Sequence, residues 1–258
     1  MRKKIAAGNW KMNTTLQEGK QLITDIMSNL EVQRPRQSDD ELLIIFSPPF
    51  ITLKDAVALT RENKQIKIAA QNCYTEDKGA YTGEISVPMI KSTGAEYIII
   101  GHSERRAYFN ESYEMLAKKV DITLRHGLSP IFCCGEKLEI REKGEHFQLV
   151  REQIENSLFH LDTTAFSKVI IAYEPVWAIG TGVTATPDQA QEMHAHIRKL
   201  IAEKYGNVTA ENTTILYGGS VNAGNAAELF ACEDVDGGLV GGASLKANDF
   251  AVIVNSFR

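Results

Sequence analysis

Apolar residues along this chain fall into two alternating patterns. Short continuous runs lie at 4–9 (KIAAGN), 42–47 (LLIIFS), 66–71 (IKIAAQ), 97–101 (YIIIG), 128–134 (LSPIFCC), 168–174 (KVIIAYE), 213–217 (TTILY) and 236–241 (DGGLVG). Runs of this kind read as strands covered on both faces. Between them, Leu16, Ile23, Met27 and Leu30 recur with the period of a helix, as do Tyr113, Leu116, Val120 and Leu124, and again Met193, Ile197, Leu200 and Ile201. Strands separated by helices predict a parallel sheet. Eight such units in 258 residues favour a closed (β/α)8 barrel, with 1–258 as one domain, over an open doubly wound sheet. The open sheet calls for a glycine-rich fingerprint after its first strand, and GNWKMN at 8–13 does not supply one. Polar stretches at 33–41 and 204–214 read as helix-to-strand loops on the face remote from the strand C-termini. The charged segment 136–146 reads as the solvated start of a long helix.

One residue disturbs the pattern. Glu174 ends the buried run 168–174, and Pro175 follows it, ending the ladder and holding the preceding residue extended. The acid is therefore predicted at a strand tip. Beyond it, 175–185 carries a tryptophan, two glycines and almost no charge, an unusual composition for a plain solvated connector.

Composition removes several classes of function. Hydrophobic content of 43% and charged content of 24% are ordinary for a globular chain, and no run of 18 apolar residues is present to span a membrane. The basic start MRKK is followed by IAAGNWKMN, which is too broken by polar residues to be the core of a signal peptide. A net charge of −5 argues against nucleic acid as a partner, so an anionic ligand would need local positive groups. Cys73, Cys133, Cys134 and Cys232 show no repeated CxxC spacing and read as reduced thiols in a cytoplasmic protein, with Cys133 and Cys134 facing opposite sides of one strand.

In a barrel the chemistry collects at the C-terminal ends of the strands. The first strand delivers Asn9 and Lys11 there, the fourth His102, Ser103 and Glu104, and the sixth Glu174; the seventh and eighth end in Gly218-Gly219-Ser220 and Gly241-Gly242. Taken singly, Lys11 reads as a solvated charge, His102 as a structural imidazole and the glycine pairs as tight turns. On one rim they form a base, a cation, an imidazole and glycine loops whose N–H groups suit a phosphate, with Gly180 or Thr181 able to add another amide.

The segments AGNWKMN (7–13), IIIGHSERR (98–106), AYEPVWAIGTG (172–182), LYGGSV (216–221) and GLVGGASL (238–245) resemble the triosephosphate isomerase family, in order and over nearly the whole chain. The resemblance implies a cofactor-free and metal-free aldose–ketose isomerase of glycolysis and gluconeogenesis, which interconverts dihydroxyacetone phosphate and D-glyceraldehyde 3-phosphate through an enediolate. It implies Glu174 as the base, strengthened by burial under a closed lid, and His102 as a neutral electrophile beside the positive end of a short helix. This pairing of groups is an established pattern of that family. Lys11 and Asn9 are implied to assist catalysis and bind substrate, with Gly180, Ser220, Gly241 and Gly242 at the phosphate and Glu104 set behind the groups that touch substrate. Pro175, Val176, Trp177, Ala178, Ile179, Gly180, Thr181 and Gly182 are implied as a lid. Val183 stands where many relatives have lysine.

The long segment 71–86 resembles the loop by which subunits of that family interlock, implying a homodimer with Thr82 near the neighbouring site. His194 and His196 form an HxH that a helix spreads over two faces, so they do not suggest a metal pair. His126, His146 and His160 read as helix or helix-end residues. A non-catalytic phosphosugar-binding barrel is the main alternative, yet it would not need Glu174, His102 and Lys11 together. A metal-dependent sugar isomerase needs a carboxylate–histidine ligand set that the strand ends do not assemble, and a Schiff-base aldolase would need Lys11 as a desolvated nucleophile.

Overall fold

The computed structural model describes residues 2–33, 42–180 and 184–257. Within them the strands are β1 (Lys4–Asn9), β2 (Leu42–Ser47), β3 (Ile66–Ala70), β4 (Tyr97–Ile100), β5 (Ser129–Cys134), β6 (Ile170–Tyr173), β7 (Ile215–Tyr217) and β8 (Gly237–Val240). All pair in parallel in sequence order, and β8 returns to β1 through Ile5↔Gly237 to Gly8↔Val240, closing the barrel. The predicted (β/α)8 architecture is thus the observed one.

The helices follow in chain order: α1 (Leu16–Gln33), α2 (Phe50–Thr60), α3 (Val87–Ser92), α4 (Ser103–Tyr108), α5 (Tyr113–Arg125), α6 (Leu138–Glu142), α7 (His146–Leu158), α8 (Thr163–Phe166), α9 (Pro187–Tyr205), α10 (Asn207–Asn212), α11 (Ala226–Phe230) and α12 (Ala247–Val254). α9 shows why such segments fold as they do. Thr186 and Gln189 form a reciprocal capping box, Pro187 opens the first turn, and Met193, Ile197, Leu200 and Ile201 supply a buried stripe against the sheet. Gly206, with φ of 85°, ends it.

Alternation along the strands divides the core. Ile5, Ala7, Ile45, Ile99, Ile131, Cys133, Ala172, Leu216 and Leu239 fill the barrel interior. Their neighbours Ala6, Phe46, Ile98, Ile100, Phe132, Cys134, Ile171 and Tyr173 face the helices. This pleat has period two, so it also aims the residues that come next: Asn9 and Glu174 continue the inward series. Cys133 and Cys134 lie on opposite faces as expected, and burial raises both thiols, the second to about 12.

Three sequence expectations need correction or restriction. The segment 136–146 is not the start of one helix: α6 and α7 are separate, and Glu136 is buried rather than solvated. The stretch 204–214 is mostly helical, containing the end of α9 and all of α10. Apart from Gln33, which ends α1, the loop expected at 33–41 lies outside the described residues.

Candidate active site

Glu174 follows β6 directly and is only 1% exposed. Its Oε2 accepts the Ser103 N–H at 2.8 Å, and its Oε1 accepts the Ser103 hydroxyl at 3.2 Å. His102 Nε2 lies 2.9 Å from the same Oε1. The carboxylate, the imidazole and the serine that follows it are therefore in direct contact. His102 caps α4, and its Nδ1 accepts the backbone N–H of Glu104 at 3.3 Å. That contact needs a lone pair on Nδ1, so the ring proton sits on Nε2 and is donated to Glu174.

Two opposing influences act on each partner. Burial pushes the Glu174 carboxyl up, but the His102 imidazole, the Ser103 N–H and the Arg106 guanidinium together bring it below its ordinary value of 4.5. Burial disfavours an imidazolium at His102, whereas Glu174 and Glu104 favour it, and the balance in this arrangement is upward. In this contact pair the directions are the reverse of the expected strengthened base and neutral imidazole.

Asn9, Lys11 and His102 line a cavity of about 380 Å³ at the barrel mouth. Gly180 and Ser220 lie on its lid side, and Gly241 and Gly242 follow β8 on another wall. Glu174 does not line this space. It is turned toward Ser103 and lines a second cavity of about 240 Å³ between α4 and α7. Lys11 Nζ pairs with Glu104 Oε1 at 2.7 Å. The Lys11 backbone has φ of 54°, a conformation L-residues rarely adopt. It is held there by its own N–H donating to Asn9 Oδ1 at 3.1 Å and by Gln71 Nε2 donating to its carbonyl at 2.8 Å.

The segment that follows Glu174 is tied to the barrel. Val176–Ala178 form one turn of 3-10 helix. The Trp177 indole N–H donates to Glu136 Oε1 at 3.0 Å, the Tyr173 hydroxyl donates to that same oxygen at 2.9 Å, and Val176 N donates to the Glu136 carbonyl at 2.9 Å. The Ser220 hydroxyl donates to the Ala178 carbonyl. Thr181, Gly182 and Val183 lie outside the described residues.

Sequence reasoning missed Glu136, Gln71 and Arg106. Glu136 was hidden because it opens a charge-rich stretch that resembles a solvated helix. Gln71 and Arg106 act through carbonyls brought to them by other strands, and spacing carries no signal of that kind. His194 is buried against Tyr173 and Tyr217, His196 lies against Phe147, His126 and His160 pair with Asp77 and Asp121, and His146 opens α7. Among the described residues no group of three or more His, Cys, Asp or Glu could hold a metal ion.

A closed parallel barrel with a histidine and a lysine at a glycine-walled cavity, and a buried glutamate in contact with that histidine, defines a (β/α)8 enzyme equipped to move protons on a small anionic substrate. The family model for triosephosphate isomerase matches residues 4–257. The triosephosphate isomerase of Porphyromonas gingivalis is 56% identical over 257 residues, covering 100% of both chains. That of Cytophaga hutchinsonii is 52% identical with the same coverage, and that of Flavobacterium johnsoniae is 46% identical over 99% of this chain and 100% of its own. The chain belongs to the triosephosphate isomerase family. Its function is accordingly the interconversion of dihydroxyacetone phosphate and D-glyceraldehyde 3-phosphate, and nothing favours the non-catalytic alternative.

Proposed function

We propose that Glu174, His102, Lys11 and Asn9 carry out this isomerisation, with Gly180, Ser220, Gly241 and Gly242 receiving the substrate phosphate. The observation that carries the assignment is the 2.9 Å contact between Glu174 and His102 Nε2 beside a cavity walled by Lys11 and the glycine loops. Glu174 leaves Ser103, takes a proton from the carbon next to the carbonyl and returns it to the neighbouring carbon. His102 Nε2–H polarises the carbonyl and passes protons between the two oxygens, a task for which a neutral imidazole matches the weak acidity of an enediol. Lys11 offsets the charge of phosphate and enediolate, and Asn9 fixes the Lys11 backbone while presenting its amide to substrate oxygen.

The lid excludes water, which strengthens these charge interactions and keeps the enediolate from expelling phosphate. The reading requires no cofactor and no metal. Isomerisation of D-glyceraldehyde 3-phosphate by EDTA-treated protein, measured beside Glu174→Gln, tests it. Metal-independent conversion lost in the variant is expected; conversion retained by Glu174→Gln would remove the assigned base.

The protein is further proposed to act as a homodimer in the cytoplasm. Residues 71–86 form a long β-to-α loop between β3 and α3, with Thr82 exposed. Nearby in sequence Tyr81 and Met89 are 43% and 55% exposed, and Met12, beside Lys11, is 96% exposed. A second subunit would cover such residues. Four thiols in no disulfide suit a reducing compartment. Sedimentation at micromolar concentration should give twice the 28.6 kDa chain mass.

A further inference from the structure

The base and the lid hang from the last few residues of the β5–β6 ladder. Beyond the strand ends the pairing continues, with Glu174 N donating to Cys134 O at 2.7 Å and Val176 N to Glu136 O at 2.9 Å. Parallel pairing points alternate residues of β5 toward alternate neighbours. Cys134 and Glu136 therefore face β6, while Cys133 and Gly135 present their peptide groups toward β4. Yet β4 ends at Ile100, opposite Phe132, and Gly101, with φ of 73°, turns the chain away. The carbonyl of Cys133 and both peptide groups of Gly135 face a side from which the strand has departed.

Two side chains occupy that side. Arg106 Nη2 donates to the Cys133 carbonyl at 2.7 Å while its Nε donates to the Gly101 carbonyl at 2.8 Å, bridging the ends of β5 and β4. Gln153 on α7, only 6% exposed, accepts the Gly135 N–H through Oε1 at 2.7 Å and donates from Nε2 to the Gly135 carbonyl at 2.8 Å. A side-chain amide has the same donor and acceptor as a peptide, and here both are used on one residue, as a neighbouring strand would use them. Gly135 cannot be held by packing of its own: a Cβ there would stand 1.8 Å from the Glu174 carbonyl oxygen.

We propose that Gln153 is a positioning residue for the isomerisation: together with Arg106 it stands in for the missing strand along the end of β5, and so fixes the Glu174 base and the first turn of the lid. The inference rests on Glu174 being the base. Without the Gln153 amide, both peptide groups of Gly135 lose their partner while Cys134 and Glu136 stay bonded toward β6, and a shift at Gly135 passes directly to Glu174 through Cys134 and to Val176 and Trp177 through Glu136. A displacement of about 1 Å at a reacting group costs on the order of 100-fold in rate. Substrate binding, which uses the other walls of the cavity, is left largely intact.

The test compares wild type, Gln153→Ala, Gln153→Glu and Glu174→Asp for kcat, KM, thermal midpoint and inorganic phosphate released per turnover. Phosphate release reports the escape reaction, in which the enediolate electrons break the C–O bond and expel phosphate. For Gln153→Ala, kcat should fall roughly 10- to 100-fold with KM within about threefold, and phosphate per turnover should rise. Gln153→Glu keeps an acceptor for Gly135 N–H but faces its carbonyl with a second acceptor. Protonation supplies the missing donor, so activity relative to wild type should recover as pH falls. A folded Gln153→Ala with kcat within twofold of wild type overturns the proposal. So does a loss that merely follows the folded fraction, with no rise in phosphate release and no recovery at low pH in Gln153→Glu. If Gln153→Ala does not fold, the pH response of Gln153→Glu decides. Wild-type turnover in Glu174→Asp would instead remove the base assignment.

Discussion

Both rims of the barrel contain buried charge, but they use it differently. At the N-terminal rim Asp236 is fully buried and accepts from Arg2 Nε at 2.7 Å, Arg198 Nη2 at 3.0 Å and Ile215 N at 2.9 Å. Arg198 in turn gives its remaining donors to Asp234 and to the carbonyls of Ala210, Thr213 and Asp234. Arg2 is tied in turn to Glu211 and to the Glu233 carbonyl, so the partners of Asp236 are themselves held by further groups. At the C-terminal rim Glu174 is as deeply buried, yet its contacts are hydroxyl, N–H and imidazole groups beside an open cavity. A saturated buried charge ties elements together, whereas one whose partners can be replaced by substrate can do chemistry.

Substitutions at the two rims should separate these roles. Glu174→Asp withdraws the carboxylate by one methylene and should lower kcat about 100-fold or more, with KM little altered and the thermal midpoint near that of wild type. Steady-state kinetics beside a melting curve checks this, and turnover within twofold of wild type would end the comparison at once. Asp236→Ala should do the reverse. Leaving Arg198 and Arg2 without a buried carboxylate costs about 3–5 kcal/mol of stability by urea unfolding, while the molecules that remain folded turn over at the wild-type rate.

A pH series sharpens the contrast. The Glu174 carboxyl lies below its ordinary value of 4.5 in the fold, so the unfolded chain takes up this proton first as pH falls. Its stabilising contribution is present in full above that ordinary value and is lost as pH drops through the lowered one. The His102 contribution runs the other way: with its pKa raised, it is present in full below the ordinary histidine value of 6.5 and is lost as pH rises through the raised one. The difference in thermal midpoint between wild type and Glu174→Gln should therefore narrow on acidification below about pH 4.5. A difference that widens there would contradict the contact pair.

The smallest effect is expected at Glu104. Its carboxylate is 42% exposed, and its pair with Lys11 is screened by solvent. Glu104→Gln should change stability by less than about 1 kcal/mol and the rate by less than tenfold. A loss matching that of Glu174→Asp would place Glu104 among the groups that touch substrate.

Much of this was legible in the chain because it rests on local periodicity. Period two in the strands gives the barrel interior, and the same parity carries Asn9 and Glu174 to the mouth. Glu136 was read wrongly for a physical reason: composition reports how a stretch is charged, while burial depends on which side chains converge on it. Tyr173 and Trp177 come from beyond the stretch to meet its carboxylate, and Arg141 folds back from within it.

The sequence by itself determined the alternation of strands and helices, the barrel they form and the strand-end residues that gather at its mouth, because each of these follows from hydrophobic period and chain order. Only the tertiary structure decided that Glu174 rests on Ser103 and His102 outside the cavity at the barrel mouth, that Gln71 holds Lys11 in its strained backbone, and that Arg106 and Gln153 complete the end of β5. Those contacts join residues separated by 18 to 72 positions, with Gln153 to Gly135 the shortest span and Glu174 to His102 the longest. Their geometry comes from closure of the barrel, which no local pattern encodes.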